Sequence, residues 1–218
     1  MFKNINKLQN QFSRTPARIA LMFLIALFLM SVSIPYISPY NKDITGAVHF
    51  ESAGQSPSFS HWFGTDAVGR DVFTITIRAA FFSLKIAFGV VVFSVLLGVP
   101  IGMFAGLSGK RTEEIIMRIT DGFLAFPPLI LPLVITTILG PSLNNVILGI
   151  TASWFPWYVR IARSQSLVIS SLDYVSISMS MGAGKLHIIK KHILPNSINP
   201  ILTQASIDAG YALSLIHI

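Results

Sequence analysis

Between Gly122 and Val159 the chain runs for 38 residues without one Asp, Glu, Lys or Arg. A helix crosses the hydrocarbon core of a bilayer in about 20 residues, so this run holds two spans, and Gly140-Pro141-Ser142 divides them at a tight turn. Other stretches repeat the pattern. Ile19 to Asn41 is free of charge, Ser83 to Gly106 carries only Lys85, and the chain turns apolar again from about Ile198. With 52% hydrophobic and 11% charged residues, the composition is too apolar for a water-soluble domain of this size. The expected fold is an all-α polytopic membrane protein with five recognisable transmembrane helices.

The spans differ in character. In the second, Lys85 lies near the outer end, where its ammonium can snorkel, while Gly98, Pro100, Gly102 and Gly106 supply close helix contacts and a bend. The third begins near Ile115, contains Asp121, and carries Pro127, Pro128 and Pro132. Those prolines break backbone hydrogen bonds, which a membrane tolerates only where neighbouring helices or a cavity satisfy the freed groups. The fourth closes with Trp154, Trp157 and Tyr158 followed by Arg160 and Arg163, the mark of a helix leaving the membrane.

Charge sets the orientation. The formal net charge of +7 suggests nucleic acid, but the basic residues sit beside apolar runs and form no single face with interleaved aromatics, so no nucleic-acid partner is expected. With the N-terminus inside, Lys3, Lys7, Arg14, Arg18, Lys110, Arg111, Arg118, Arg160, Arg163, Lys185, Lys190 and Lys191 fall inside. Lys42, Arg70, Arg78 and Lys85 fall outside, completing the 16. The inward excess follows the positive-inside rule and gives a cytoplasmic N-terminus over 1–18. A basic start before an apolar run also suits a signal peptide, but the run at 19–41 is too long and lacks a clear cleavage site, so it is expected to stay as the first span.

From Ser38 to Lys85 the composition shifts to Ser, Gly, Pro, Asp and His, and an extracytoplasmic loop is placed at 42–82. Gly64-Thr65-Asp66 and Gly69-Arg70-Asp71 predict a compact structure with Asx-type turns and an ion pair to Arg70. The Ser108 to Glu114 connection contains Gly109-Lys110-Arg111, yet a phosphate loop needs Gly where Phe104 stands and Ser or Thr at Arg111, so no nucleotide site is read there. Cysteine is absent, which excludes disulfide and thiolate chemistry, and the five histidines show no ligand spacing.

The permease core is placed at 83–212, with a cytoplasmic loop at 164–197. Within that loop Asp173 to Asn196 is polar and basic between two apolar runs. Tyr174, Val175, Ile177 and Met181 recur at helical spacing, and Gly182-Ala183-Gly184 ends the pattern where a positive φ is easy. A second short helix is expected over Lys185 to Ile193, stopped by Pro195. Its Lys185, Lys190 and Lys191 suit lipid phosphates or a protein partner equally well.

A Gly followed after eleven residues by Leu-Pro, here Gly182 to Leu194-Pro195, resembles the EAA loop of permease subunits in bacterial ATP-binding-cassette importers. Gly182-Ala183 and His192 to Asn196 resemble its form in the dipeptide, oligopeptide and nickel branch. So do Gly64-Thr65-Asp66 with Gly69-Arg70-Asp71, the Asp121 to Pro127-Pro128 stretch, and Trp157-Tyr158-Val159-Arg160. Their order and spacing match the C-type permease of that branch from about residue 10 to about 212. The resemblance implies a multi-pass subunit of the bacterial inner membrane with the type I importer permease fold. It further implies a heterodimer with a second permease, two cytoplasmic ATPase subunits that bind the ATP, and an extracytoplasmic solute-binding protein. No cofactor and no catalytic site are expected in this chain, whose function would be to couple ATPase closure to alternating access for peptides or similar small solutes.

The coupling residues so implied are Asp173, Tyr174, Ser176, Ile177, Met181, Gly182, Ala183, Leu194 and Pro195. An apolar row ending at glycines suits docking in a partner's groove. One departure stands out: Ser176-Ile177-Ser178 occupies the place of Glu-Ala-Ala, so the usual glutamate contact with the ATPase is missing. Asp173 either replaces it or serves as an N-cap.

Two intramembrane carboxylates remain, and such groups are costly in a bilayer. Asp121, beside Arg118, is expected in a structural ion pair, with Pro127 and Pro128 as structural neighbours. Asp208 either lines the translocation path or bonds a helix outside this sequence. Two rival functions lack their signatures. An intramembrane aspartyl protease needs Gly-x-Gly-Asp, where the nearest string, Gly182 to Lys185, ends in lysine; an ion-coupled secondary transporter needs inverted repeats, and none is visible. Finally, residues 213–218 match the translation of a transposon end used in sequencing libraries. They are expected to be non-native, with the rest of the fifth span and a sixth lying beyond them.

Overall fold

Tight turns joined by carboxylates hold the chain between its first two long helices. A computed structural model describes residues 15–216; the basic residues before Thr15 and the end of the suspect tail, His217 and Ile218, lie outside the described residues. Two units divide between Leu84 and Lys85.

The first unit contains α1 (Thr15–Ile37), two short 3-10 turns at Asn41–Thr45 and Phe50–Ser52, and the start of α2 (Val72–Gly106). Asp71 caps α2, accepting from the Thr74 N–H at 2.8 Å and meeting His61 Nδ1 at 3.0 Å. Asp43, also buried, accepts from the Asp71 N–H at 2.8 Å and pairs with His49 Nε2 at 3.1 Å. Asp66 fulfils the expected Asx turn: Oδ1 accepts the N–H groups of Val68 and Arg70, and Oδ2 accepts from Arg70 Nε at 2.8 Å. The Arg70 backbone N–H, more than any other contact, holds the Asp66 carboxyl below its usual range.

The motif glycines are steric necessities. Gly69 has φ +82°, and a Cβ there would stand 1.8 Å from the His49 carbonyl oxygen. The loop therefore ends at Asp71, and α2 begins eleven residues before the expected start at Ser83. Lys85 sits inside that helix instead of near its outer end, because Asp71 supplies a cap that composition alone did not reveal. Just past α1, Ser38 Oγ lies 2.8 Å from Thr74 Oγ1, and within α1 Phe28 stacks on Phe81.

The second unit contains the rest of α2 with α3 (Lys110–Leu124), α4 (Ile130–Leu139), α5 (Leu143–Ser170), α6 (Asp173–Ser180), α7 (Lys185–Ile188) and α8 (Leu194–Ile216). Small residues let α2 approach α5 closely. A Cβ on Gly98 would lie 2.5 Å from the Phe155 carbonyl, one on Gly102 2.2 Å from that of Val159, and one on Gly106 2.5 Å from Ser166 Cβ. Ser166 Oγ also donates to the Met103 carbonyl at 3.2 Å.

The third span is not one helix. Ala125 to Leu129 separates amphipathic α3 from apolar α4, since Pro127 and Pro128 cannot continue the α3 ladder. The Pro128 carbonyl accepts from Ser153 Oγ of α5 at 3.1 Å, so a neighbouring helix does meet a freed group. Gly140 turns with φ +88°, and Ser142 caps α5 through the Asn145 N–H, as the tight-turn reading expects. Among the described residues, Pro16–Ile37 and Val72–Gly106 are long and apolar enough to cross a membrane, and Ile130–Leu139 is a shorter apolar helix.

Replacing Gly102 with Ala tests the α2–α5 contact. The added methyl must displace backbone and should cost about 1–3 kcal/mol, read as a lowered unfolding midpoint of the purified protein. An unchanged midpoint would contradict the packing.

Candidate functional site: an anchored helical loop

The stretch that follows α5 faces two ways. Asp173 is the first residue of α6 and lies in its first turn, where a negative charge suits the helix dipole. It is not the N-cap: Leu172 holds that position without a side-chain bond, because the chain straightens one residue earlier than the Asp suggested. Tyr174, Ile177 and Met181 form one stripe at i, i+3, i+7 and are 46%, 59% and 83% exposed, whereas Val175, one position round the helix, is fully buried. The apolar row read as a single set thus splits into an outward stripe and an inward anchor.

Val175 enters a core with Val99 and Met103 of α2, Tyr158, Ala162 and Ile169 of α5, Ile188 of α7, Ile193 between α7 and α8, and Ile201 of α8. Ser176 and Asp173 are exposed on the outer side. Tyr174 stacks obliquely on His192 at 5.6 Å, which joins the two halves of the loop.

Gly182 ends α6 with φ +90°. Its N–H bonds the Met179 carbonyl at 2.9 Å, and the Ala183 N–H bonds that of Ser178 at 3.1 Å, the two bonds of a Schellman cap. A Cβ at Gly182 would meet nothing within 4 Å, so conformation, not space, demands glycine. Ala183 packs against the core cluster.

Pro195 does not stop the next helix. From Lys185 the chain passes through α7 and a π turn at Ile189–Ile193 directly into α8, where Leu194 and Pro195 occupy the first turn. Proline lacks the N–H that an unbroken α-helix would use there, and the wider π turn absorbs the missing bond. Sequence periodicity carries no signal for such a turn.

The acids bind neighbours within the chain. Asp121 pairs with Arg160 Nη2 at 2.6 Å, not with Arg118, which instead pairs with Glu114 one turn away on the same helix. Glu113 accepts from Arg163 Nε at 2.7 Å, so the two arginines after the tryptophans tie α5 to α3. Asp208, half-buried on α8, accepts from Tyr158 OH at 2.7 Å through one oxygen and from Gln204 Nε2 at 2.8 Å through the other. Tyr158 was visible only as part of a motif. Its bond to Asp208 spans 50 residues, and no local pattern announces it.

Residues 98–217 match a family described as "Binding-protein-dependent transport system inner membrane component". The chain belongs to this family. It is 36% identical over 192 residues to the probable D,D-dipeptide transport system permease protein DdpC of Escherichia coli, covering 88% of this chain and 63% of that protein. Against the dipeptide permease protein DppC of Bacillus subtilis it is 35% identical over 199 residues, 90% of this chain and 61% of the relative. Identity to the nickel permease protein NikC of E. coli is 33% over 201 residues, 92% and 72% respectively. The chain spans somewhat under two thirds of the length of most of these relatives. The matched family region contains α6, the Gly182 cap, the π turn and Asp208.

Removing Asp208 by substitution to Ala should leave the buried Tyr158 hydroxyl without its acceptor and cost about 1–3 kcal/mol. Asp208→Asn keeps an acceptor and should cost less. Unfolding midpoints of both variants check this; equal, negligible losses would contradict a structural bond.

Proposed function

We propose that the chain is a transmembrane permease subunit of an ATP-driven, binding-protein-dependent importer for peptides or similar small solutes. In this reading it is a multi-pass protein with a cytoplasmic N-terminus. Five spans are formed by α1, α2, the broken α3–α4 pair, α5 and α8. It pairs with a second permease, receives solute from an extracytoplasmic binding protein, and contacts two cytoplasmic ATPase subunits that bind the ATP.

The single observation that carries the reading is the division of α6 into an outward stripe and a buried anchor. Tyr174, Ile177 and Met181 offer an apolar row for a partner's groove, the helix-in-groove mode of recognition. Val175 on the opposite side links any displacement of that row to α2, α5 and α8. The Schellman cap at Gly182 fixes the angle at which the chain turns back into α7. Ser176 offers no charge to the ATPase, and exposed Asp173, one turn earlier, is the remaining acid for such a contact.

Asp208 fits a structural role better than a place on the translocation path, since both of its oxygens are engaged within the chain. The names of the relatives cover dipeptides and nickel, and the solute class of this chain lies within that range.

Gly182→Asp tests the coupling. A side chain at φ +90° strains the cap, and the added charge sits beside the docking row, so membrane insertion should persist while uptake falls about 5- to 150-fold, the range of typical coupling free energies. Normal uptake in the variant would sink the coupling role.

A further inference from the structure

The extracytoplasmic loop carries an aromatic crest that no part of the transport reading uses. Phe59 is fully exposed, and Trp62 and Phe63 are 65% and 55% exposed, although all three are large and apolar. Their neighbour His61 turns inward onto Asp71 and so adds no charge to the crest. From Ser52 to Thr65 the sequence holds no Asp, Glu, Lys or Arg. Trp62 and Phe63 rest on Phe73, with ring centroids 5.0 and 5.2 Å away. Behind the crest lies an apolar cavity of about 260 Å³, lined by Ile34, Ile37, Tyr40, Phe59, Trp62 and Phe73 among others.

Depth decides what covers this surface. Helix α2 has 35 residues and is about 52 Å long at 1.5 Å per residue. That exceeds the hydrocarbon core of about 30 Å and is closer to a whole bilayer of about 40–45 Å, so its ends lie at the headgroups. Phe73 is the second residue of α2, which puts the rings stacked on it at headgroup depth. Tyr36 and Ile37, exposed at the end of apolar α1, continue the same apolar surface. Aromatic rings concentrate at this depth, where an apolar body meets wet headgroups. A protein partner that docks and leaves presents a more mixed surface, only a little over half apolar.

We propose that the crest Phe59-Trp62-Phe63 docks on the outer leaflet of the membrane, with an acyl segment of a phospholipid in the cavity behind it. The loop is thereby held flat against the bilayer beside the capped start of α2. The inference rests on α1 and α2 crossing the membrane with the loop outside, but not on coupling or on the nature of the solute.

The test uses the full chain with Trp154→Phe and Trp157→Phe, leaving Trp62 as the only tryptophan, reconstituted in phosphatidylethanolamine–phosphatidylglycerol liposomes. Brominating the acyl chains near the headgroup should quench Trp62 emission about twofold or more, as for an interfacial indole. Acrylamide in the outer water should quench it weakly. Trp62→Phe, which keeps Trp154 and Trp157, reports whether the chain has inserted. Quenching of Trp62 by acrylamide and not by bromolipid would overturn the proposal and leave the crest for an aqueous partner such as a binding protein. Quenching by neither would also overturn it, since the crest would then be covered by protein. If bromolipid quenches Trp154 and Trp157 but not Trp62, the membrane reading stands and the crest proposal falls.

Discussion

Val175 is the residue on which the loop after α5 depends. It is a small side chain on a helix of 8 residues, too short to hold its shape alone in water. Burial among Val99, Met103, Tyr158, Ala162 and Ile169 supplies what propensity cannot, on the order of 2 kcal/mol for a fully buried aliphatic side chain. The same burial turns Tyr174, Ile177 and Met181 outward. An apolar row held facing water is costly unless a partner covers it, and a row that hung from a loose loop would transmit nothing. The anchor fixes the exposed row to the core.

Around that contact the polar groups serve position more than chemistry. Arg160 and Arg163 bind Asp121 and Glu113 and tie the lower part of α5 to α3. Asp208 ties α8 to α5 through Tyr158, whose ring belongs to the same core as Val175. Glycines at 98, 102 and 106 bring α2 against α5 so closely that no side chain fits between them. Within the first unit, Asp43 and Asp71 fold the loop before α2 onto the start of that helix and leave its aromatic crest exposed.

Much of this was legible in the residues, and the remainder follows a pattern. Breaks were readable wherever one residue type dictates backbone geometry: Gly140 and Gly182 at positive φ, and the Pro127-Pro128 interruption. Side-chain turns were readable at Asp66, because an Asx turn is local. What sequence could not reveal depends on partners distant in the chain. Arg118 stood nearest to Asp121, yet Glu114 lies one helical turn from Arg118 and satisfies it first. Asp173 looked like a cap, but the helix starts one residue earlier. Pro195 looked like a stop, and a π turn carried the chain past it. The start of α2 is not legible in the sequence, because Arg78 and Lys85 resemble loop residues and Asp71, its cap, looks only like part of a turn. Among the described residues two helices are long and apolar enough to cross a membrane, fewer than the five expected.

In the proposed coupling, the outward stripe of α6 seats in an ATPase subunit while Val175 holds it to the core. The chain has no cysteine, so a single Met181→Cys reports one position without background. In inner membranes containing the assembled transporter, a short bifunctional crosslinker should join Cys at 181 to an ATPase subunit, with a yield that changes when ATP is added. A cysteine that reacts freely with a soluble maleimide in those membranes, and crosslinks to no ATPase with or without ATP, would contradict the claim.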